Sequence, residues 1–520
     1  MTTRTAGRPP TPAADSEFVS PAPVVAPPDP GPTDRVRGWV VTLVVTAIAA
    51  VTRFVLLGYP TDAGTPVFDE KHYAPQGWQV LTSGGWIEDN PGYGLVVHPP
   101  VGKWMIAFGE AIFGYNGWGW RAASAVAGTV LVLLVIRIVR RMTGSTLVGA
   151  LAGILLIADG VTFVSSRVAM LDIFLTLFVV AAFGCLVVDR DDVRTRMYAV
   201  YAAGRIGDST FGPRLGVRWW RFGAGVLLGL ACATKWSGIY VVMFLGLLSV
   251  AFDVAARRSH GVRRPWLGAL VRDVAPALYA LVGIPLIVYL LSYTPWFASE
   301  NGVDRHAVGT DIGHDGTWSF VPDALRSLWY YSGNVLEFHS TLTNSAGNLH
   351  PWESKPWTWP MGLRPMLYYF ADGETVSGCG ESECVKAVML VGTPALWWLA
   401  FPLFLWALWR TLVRRDWRWA AVLVGYGAVF LPWFATLDRQ MYFFYATALA
   451  PFLVMGVALA LGEALGRGSA SVDRRRIGLL AVCLYVGVVV ANFVWLWPIL
   501  TGLPITPEMW QRQLWLPSWH

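Results

Sequence analysis

Val67-Phe68-Asp69-Glu70-Lys71-His72-Tyr73 stands just past an apolar segment that runs from about Gly38 to Leu57. That segment is long enough to cross a bilayer, which takes about 20 apolar residues. Two adjacent carboxylates at its end gain nothing structural. Charges at a membrane face are costly to hold and mark function. Such a carboxylate can take a proton from an acceptor while a lipid-borne substrate lies beside it.

The composition sets the class. Hydrophobic residues make up 55% of the 520 and charged residues 14%, where a soluble domain carries roughly 25% charge. The expectation is an all-α polytopic membrane protein. The 28 tryptophans suit the aromatic belts of membrane–water interfaces. Residues 1–34 hold nine prolines and no apolar run. They read as a disordered cytoplasmic tail, without the apolar core of a signal peptide. A transmembrane domain is expected over 35–520.

About eleven spans are expected from the apolar runs. They lie near 38–58, 118–138, 146–164, 170–188, 222–235, 238–256, 274–292, 388–409, 419–435, 441–462 and 477–498. With a cytoplasmic N-terminus, most of the 40 lysines and arginines fall on one side, in turns such as Arg137–Arg141, Arg257–Arg272 and Arg474–Arg476. That asymmetry follows the positive-inside rule and puts the C-terminus outside. It also explains the isoelectric point of about 9.1 without nucleic acid as a partner. Two long outer loops result, 59–117 and 293–387, both rich in Trp and Gly and carrying His and acidic residues.

Five features then share the outer face. They are Asp69-Glu70; His98-Pro99-Pro100-Val101-Gly102-Lys103; Trp120-Arg121; Ser166-Arg167 through Leu171-Asp172; and Thr234-Lys235-Trp236-Ser237-Gly238. Each has a plain structural reading as well. Arg167 and Asp172 could pair with each other to hold a helical hairpin. Lys235 could snorkel beside Trp236, His98 could be a polar loop residue, and Arg121 an interfacial anchor. Together they suit glycosyl transfer from a lipid phosphate. A carboxylate removes the acceptor's proton, and Arg or Lys holds the charge that develops on the leaving phosphate. Near the C-terminal end, Arg439 could grip that phosphate with Tyr442 and Tyr445 alongside, or sit as a snorkelling cation in an aromatic belt.

At these motifs the chain resembles the protein O-mannosyltransferases, polyprenyl- or dolichyl-phosphate-mannose-dependent enzymes of the GT-C membrane fold. The four motifs from Phe68 to Gly238 occur in that family's order, and the resemblance covers roughly 38–498. It implies eleven helices with the N-terminus inside and the C-terminus outside. It implies inverting transfer of mannose to Ser or Thr of proteins, with Asp69 as base and Glu70 organising the acceptor. Arg121 resembles the family's arginine at the start of the second helix. His98, Lys103, Arg167, Asp172, Lys235, Arg439 and Tyr442 are the expected substrate-binding set. The loop over 293–387 is too short for the β-trefoil MIR domain of eukaryotic members. The bacterial, actinobacterial branch is therefore expected. With it come a polyprenyl-phosphate-mannose donor, a plasma-membrane site facing outwards, and an acceptor emerging from the secretion translocon.

Asp69, Glu70, His72 and His98 could in principle hold a divalent cation, but neither metal nor cofactor is expected. Cys379 and Cys384 are a candidate disulfide in an oxidising exterior; Cys185, Cys232 and Cys483 fall in spans as inert thiols. The competing readings are another GT-C enzyme, of the arabinose or aminoarabinose type, and a lipid-linked sugar transporter. A transporter would favour internal repeats and midplane charges, and neither is visible.

Overall fold

The structure, a computed structural model, describes residues 25, 27, 31, 33–87, 97–347, 349–373, 376–466 and 470–520. The tail expected over 1–34 lies almost wholly outside the described residues.

Nine helices are long and apolar enough to cross a membrane among the described residues. In chain order the elements that matter are α1 (Arg35–Phe54), α2 (Glu70–Thr82), α3 (Val101–Phe113), α4 (Gly117–Thr143), α5 (Thr146–Ile157), α6 (Gly160–Ser165), α7 (Leu171–Ala202), α8 (Trp219–Cys232) and α9 (Gly238–Ser259). They continue with α10 (Val274–Ser292) and α11 (Asp323–Thr341). A strand pair follows, β1 (Met366–Ala371) and β2 (Lys386–Leu390). The last helices are α12 (Pro394–Leu412), α13 (Trp417–Thr436), α14 (Phe443–Leu465) and α15 (Val472–Thr501). The chain is a multi-pass membrane protein. Nine of the expected spans coincide with long helices. The runs at 146–164 and 222–235 are shorter: α5 has 12 residues and α8 has 14.

Two sequence expectations are corrected. The apolar run at 146–164 is broken at Ala158-Asp159. Asp159 is fully buried and caps α6, accepting from Thr162 N at 2.8 Å, Thr162 Oγ1 at 2.6 Å and Trp397 Nε1 at 2.6 Å. Hydropathy alone reads through that break. The run at 388–409 begins in β2, which pairs antiparallel with β1 from Met366↔Leu390 to Ala371↔Lys386. The fold is therefore not wholly helical. Cys379 and Cys384, bonded to each other, lie in the connection between these strands.

Close helix contacts where α1 ends and α4 begins rest on small residues. Asn116 caps α4, accepting from Trp118 N and Gly119 N. A Cβ at Gly117 would come within 2.6 Å of Gly58 O, and one at Gly128 would clash with Ser166 Oγ. Small residues let membrane helices approach backbone to backbone. Here they bring the ends of α1 and α4 and the turn before α7 to one place. The buried core includes Trp120, Trp359, Trp397 and Trp419.

Candidate active site

Asp69 and Glu70 are neighbours with opposite surroundings. Glu70 is fully buried and every approach to its carboxylate is taken. It receives Arg121 Nε at 2.7 Å and Nη2 at 2.8 Å, Ala169 N at 2.8 Å, and Val67 N at 3.1 Å. Arg121 also donates to Leu57 O at 3.1 Å. This is a bidentate, charge-assisted pair that ties the loop before α2 to α4 and to the turn before α7.

The Asp69 side chain accepts no hydrogen bond among the described residues and is half-buried. Its backbone carbonyl starts α2, accepting from His72 N and Tyr73 N. Phe68, just before it, has φ +49°, a left-handed conformation that costs about 1–3 kcal/mol for such a side chain and persists at functional sites when the surroundings enforce it. Stacking enforces it here: the Phe68 ring lies 4.6 Å from Tyr368 and 6.1 Å from Phe444. Burial pushes the Asp69 carboxyl up to about 6; Lys235 pulls it back down, and Asp172 adds to the rise.

Asp172 and Lys235 form the next layer, Nζ being 3.0 Å from both Asp172 oxygens. The ammonium lies 5.2 Å from the Tyr445 ring and 5.3 Å from Phe444. Arg439 reaches the same Tyr445 ring at 6.0 Å, and its Nη2 is 3.2 Å from His339 Nδ1. His98 lies 5.8 Å from His339 and 6.0 Å from Tyr73, ring to ring. Burial, with Lys235 and other cations nearby, holds His98 well below its ordinary value. His339 is pushed down to about 4 by burial and Arg439. Both imidazoles are neutral at pH 7, so His339 accepts from Arg439. Tyr442 stands 5.3 Å from His350 and stacks on Phe444. The cluster thus offers one open carboxylate, two cations and a wall of aromatic rings.

Two family models match. One, described as dolichyl-phosphate-mannose-protein mannosyltransferase, covers residues 43–299; the other, the C-terminal four-transmembrane region of protein-O-mannosyltransferase, covers 324–519. A "Polyprenol-phosphate-mannose--protein mannosyltransferase" of Mycolicibacterium smegmatis is 62% identical over 511 residues, 98% of each chain. The chain belongs to the protein-O-mannosyltransferase family. The similarly named protein of Mycobacterium tuberculosis is 64% identical over 502 residues, 96% of each chain. Among solved structures, the S. cerevisiae protein O-mannosyltransferase Pmt1-Pmt2 complex bound to the sugar donor matches with a TM-score of 0.69, at 15% identity and 96% coverage of both chains. At that identity the likeness is one of fold.

In this family member the residues expected at the site divide. Asp69, His98, Asp172, Lys235, Arg439 and Tyr442 come together. Arg121 turns into the protein onto Glu70. Arg167 does not pair with Asp172. Its guanidinium instead donates to the carbonyls that end α1: Arg53 at 2.9 Å, Val55 at 2.6 Å and Leu56 at 3.0 Å. Cations at helix C-termini satisfy such orphan carbonyls. Lys103 is fully buried and donates to His98 O at 2.6 Å, so it shapes the loop that carries His98. His339, Tyr73 and Tyr368 were not expected. The chain has only eight histidines, and one on α11, in the long stretch between the spans α10 and α12, was the available signal for His339. Among the described residues no three His, Cys, Asp or Glu side chains converge as metal ligands.

Proposed function

We propose that the chain transfers mannose from polyprenol-phosphate-mannose to a Ser or Thr hydroxyl of an exported polypeptide, at the outer face of the plasma membrane, with inversion. The observation that carries this reading is the Asp69 carboxylate, which accepts no hydrogen bond among the described residues, beside Lys235, whose ammonium shares the Tyr445 ring with Arg439. The names of the relatives, 62–64% identical, supply the donor and the protein acceptor.

In the proposed step the acceptor oxygen attacks the anomeric carbon as Asp69 takes its proton. The bond from that carbon to the phosphate oxygen breaks, and its electron pair leaves with the lipid phosphate. Arg439 and Lys235 hold the growing charge. Attack from the face opposite the phosphate inverts the anomeric centre. Glu70, Arg121, Arg167 and Lys103 act as positioning residues. A nascent acceptor segment leaving the translocon would still be extended enough to enter.

The test is a reconstituted assay with the purified chain, polyprenyl-phosphate mannose and a Ser/Thr-rich peptide. The mannosyl peptide is expected to have the anomeric configuration opposite to the donor's, read by NMR one-bond C–H coupling. Retention of configuration, or no transfer, sinks the reading. In the same assay Arg439→Ala is expected to raise the donor KM by about tenfold or more, the loss of one charge-assisted contact of about 1.5–3 kcal/mol. Unchanged donor affinity with normal expression removes Arg439 from the site.

A further inference from the structure

The end of the bundle away from Asp69 holds a cavity of about 880 Å³. It opens beside Thr143, at the far end of α4 from Arg121. At about 1.5 Å per residue, the helix puts about 33 Å between the two, close to the thickness of a bilayer's hydrocarbon core. The cavity is therefore separate from the site described above.

Its lining is two-sided. Leu147, Val148, Leu459, Leu465 and Leu479 make an apolar wall. Arg410, Arg418, Arg475 and Arg476 supply cations, with Glu463 the sole acidic residue in the lining. Two of these arginines are already matched. Arg410 pairs with Asp416 at 3.1 Å and Glu463 at 2.9 Å, and Arg418 pairs with Asp416 at 2.6 Å. Arg475 and Arg476 line the cavity as exposed side chains with no acidic partner among the described residues, and the buried Nε of Arg410 has no hydrogen-bond partner there. Several arginines buried elsewhere in the bundle are paired with acids. Arg218 and Arg221 engage Asp189 and Asp253, and Arg257 engages Asp273, all buried. The α15 pair is left open over a cavity.

We infer that this cavity binds a lipid phosphate, with Arg475 and Arg476 on the phosphate oxygens and the leucine wall against the tail. With four arginines and one glutamate in its lining, the cavity favours an anion. The volume and the apolar wall call for one that carries hydrocarbon, and clustered arginines at a membrane surface recognise anionic headgroups. Arg is suited to such contacts because its planar fork meets phosphate oxygens in pairs.

The test is native mass spectrometry of the full chain in detergent, titrated separately with phosphatidylglycerol, phosphatidylcholine, a polyprenyl phosphate and inorganic phosphate. Wild type is expected to hold phosphatidylglycerol over phosphatidylcholine. R475Q/R476Q is expected to lose that excess by roughly tenfold or more, with peptide mannosylation in detergent unchanged. A larger wild-type-to-variant difference for polyprenyl phosphate would identify an isoprenoid tail and also support a lipid-phosphate site. Equal binding of both phosphatidylglycerol and polyprenyl phosphate by wild type and variant overturns the proposal. So does binding of inorganic phosphate at these arginines without retention of either lipid.

Discussion

Asp69→Asn is expected to lower kcat for peptide mannosylation by about 10²–10⁴-fold, the range of a positioned general base, while leaving the protein folded and inserted. Asparagine keeps the shape of the side chain and cannot take the acceptor's proton. Folding should tolerate the change because the native carboxylate accepts no hydrogen bond among the described residues. The pH dependence follows from the burial that pushes this carboxyl up to about 6. Above that value the base is ionised and the activity is present. As pH falls through about 6 the carboxyl protonates, and kcat/KM should drop tenfold per pH unit. Lys235 holds the value down, so Lys235→Met should move the acid limb to higher pH, beyond any loss of donor binding. Asp172→Asn removes a negative neighbour and frees the ammonium to face Asp69, so the limb should move to lower pH. Shifts in the opposite senses, or full activity in Asp69→Asn, would remove Asp69 as the base.

The parts of this site that a linear reading reaches are those whose charge sits against an apolar run. Asp69-Glu70 after α1, Arg167 and Asp172 before and within α7, and Lys235 after α8 all stand out because hydrocarbon surroundings make each charge expensive. What the chain order hides is pairing. Arg167 and Asp172 lie within two turns of each other, yet one caps α1 and the other meets Lys235 in the turn between α8 and α9. His339 and Tyr368 come from α11 and β1, far from any motif, and join the cluster only through tertiary packing. Span boundaries fail for a related reason. The apolar wall of β2 runs into α12 without a polar break, and Asp159 ends α5 while buried, where hydropathy averages it away. Those are positions where tertiary hydrogen bonds, not local propensity, decide the backbone.

The second large effect concerns stability and activity together. Glu70→Ala leaves Arg121 buried at 1% exposure with its bidentate partner gone, and leaves the Val67 and Ala169 amides without their acceptor. Breaking one side of a buried pair costs about 3–5 kcal/mol, and each orphaned buried donor adds about 1–3 kcal/mol. Thermal unfolding in detergent should therefore fall sharply for Glu70→Ala and for Arg121→Ala. The double variant Glu70→Leu/Arg121→Met removes both charges and restores packing volume, so most of the loss attributed to the unpaired ion should return. Transfer should not return with it. Glu70 grips Val67 N and Ala169 N, and without that grip the strained Phe68 backbone that presents Asp69 is held only by stacking on Tyr368 and Phe444. A double variant that regains stability with kcat still depressed and donor KM near wild type identifies Glu70 as a positioning residue for the base. If kcat recovers along with stability, the pair is a fold element alone and Asp69 is held in place by Tyr368 and Phe444.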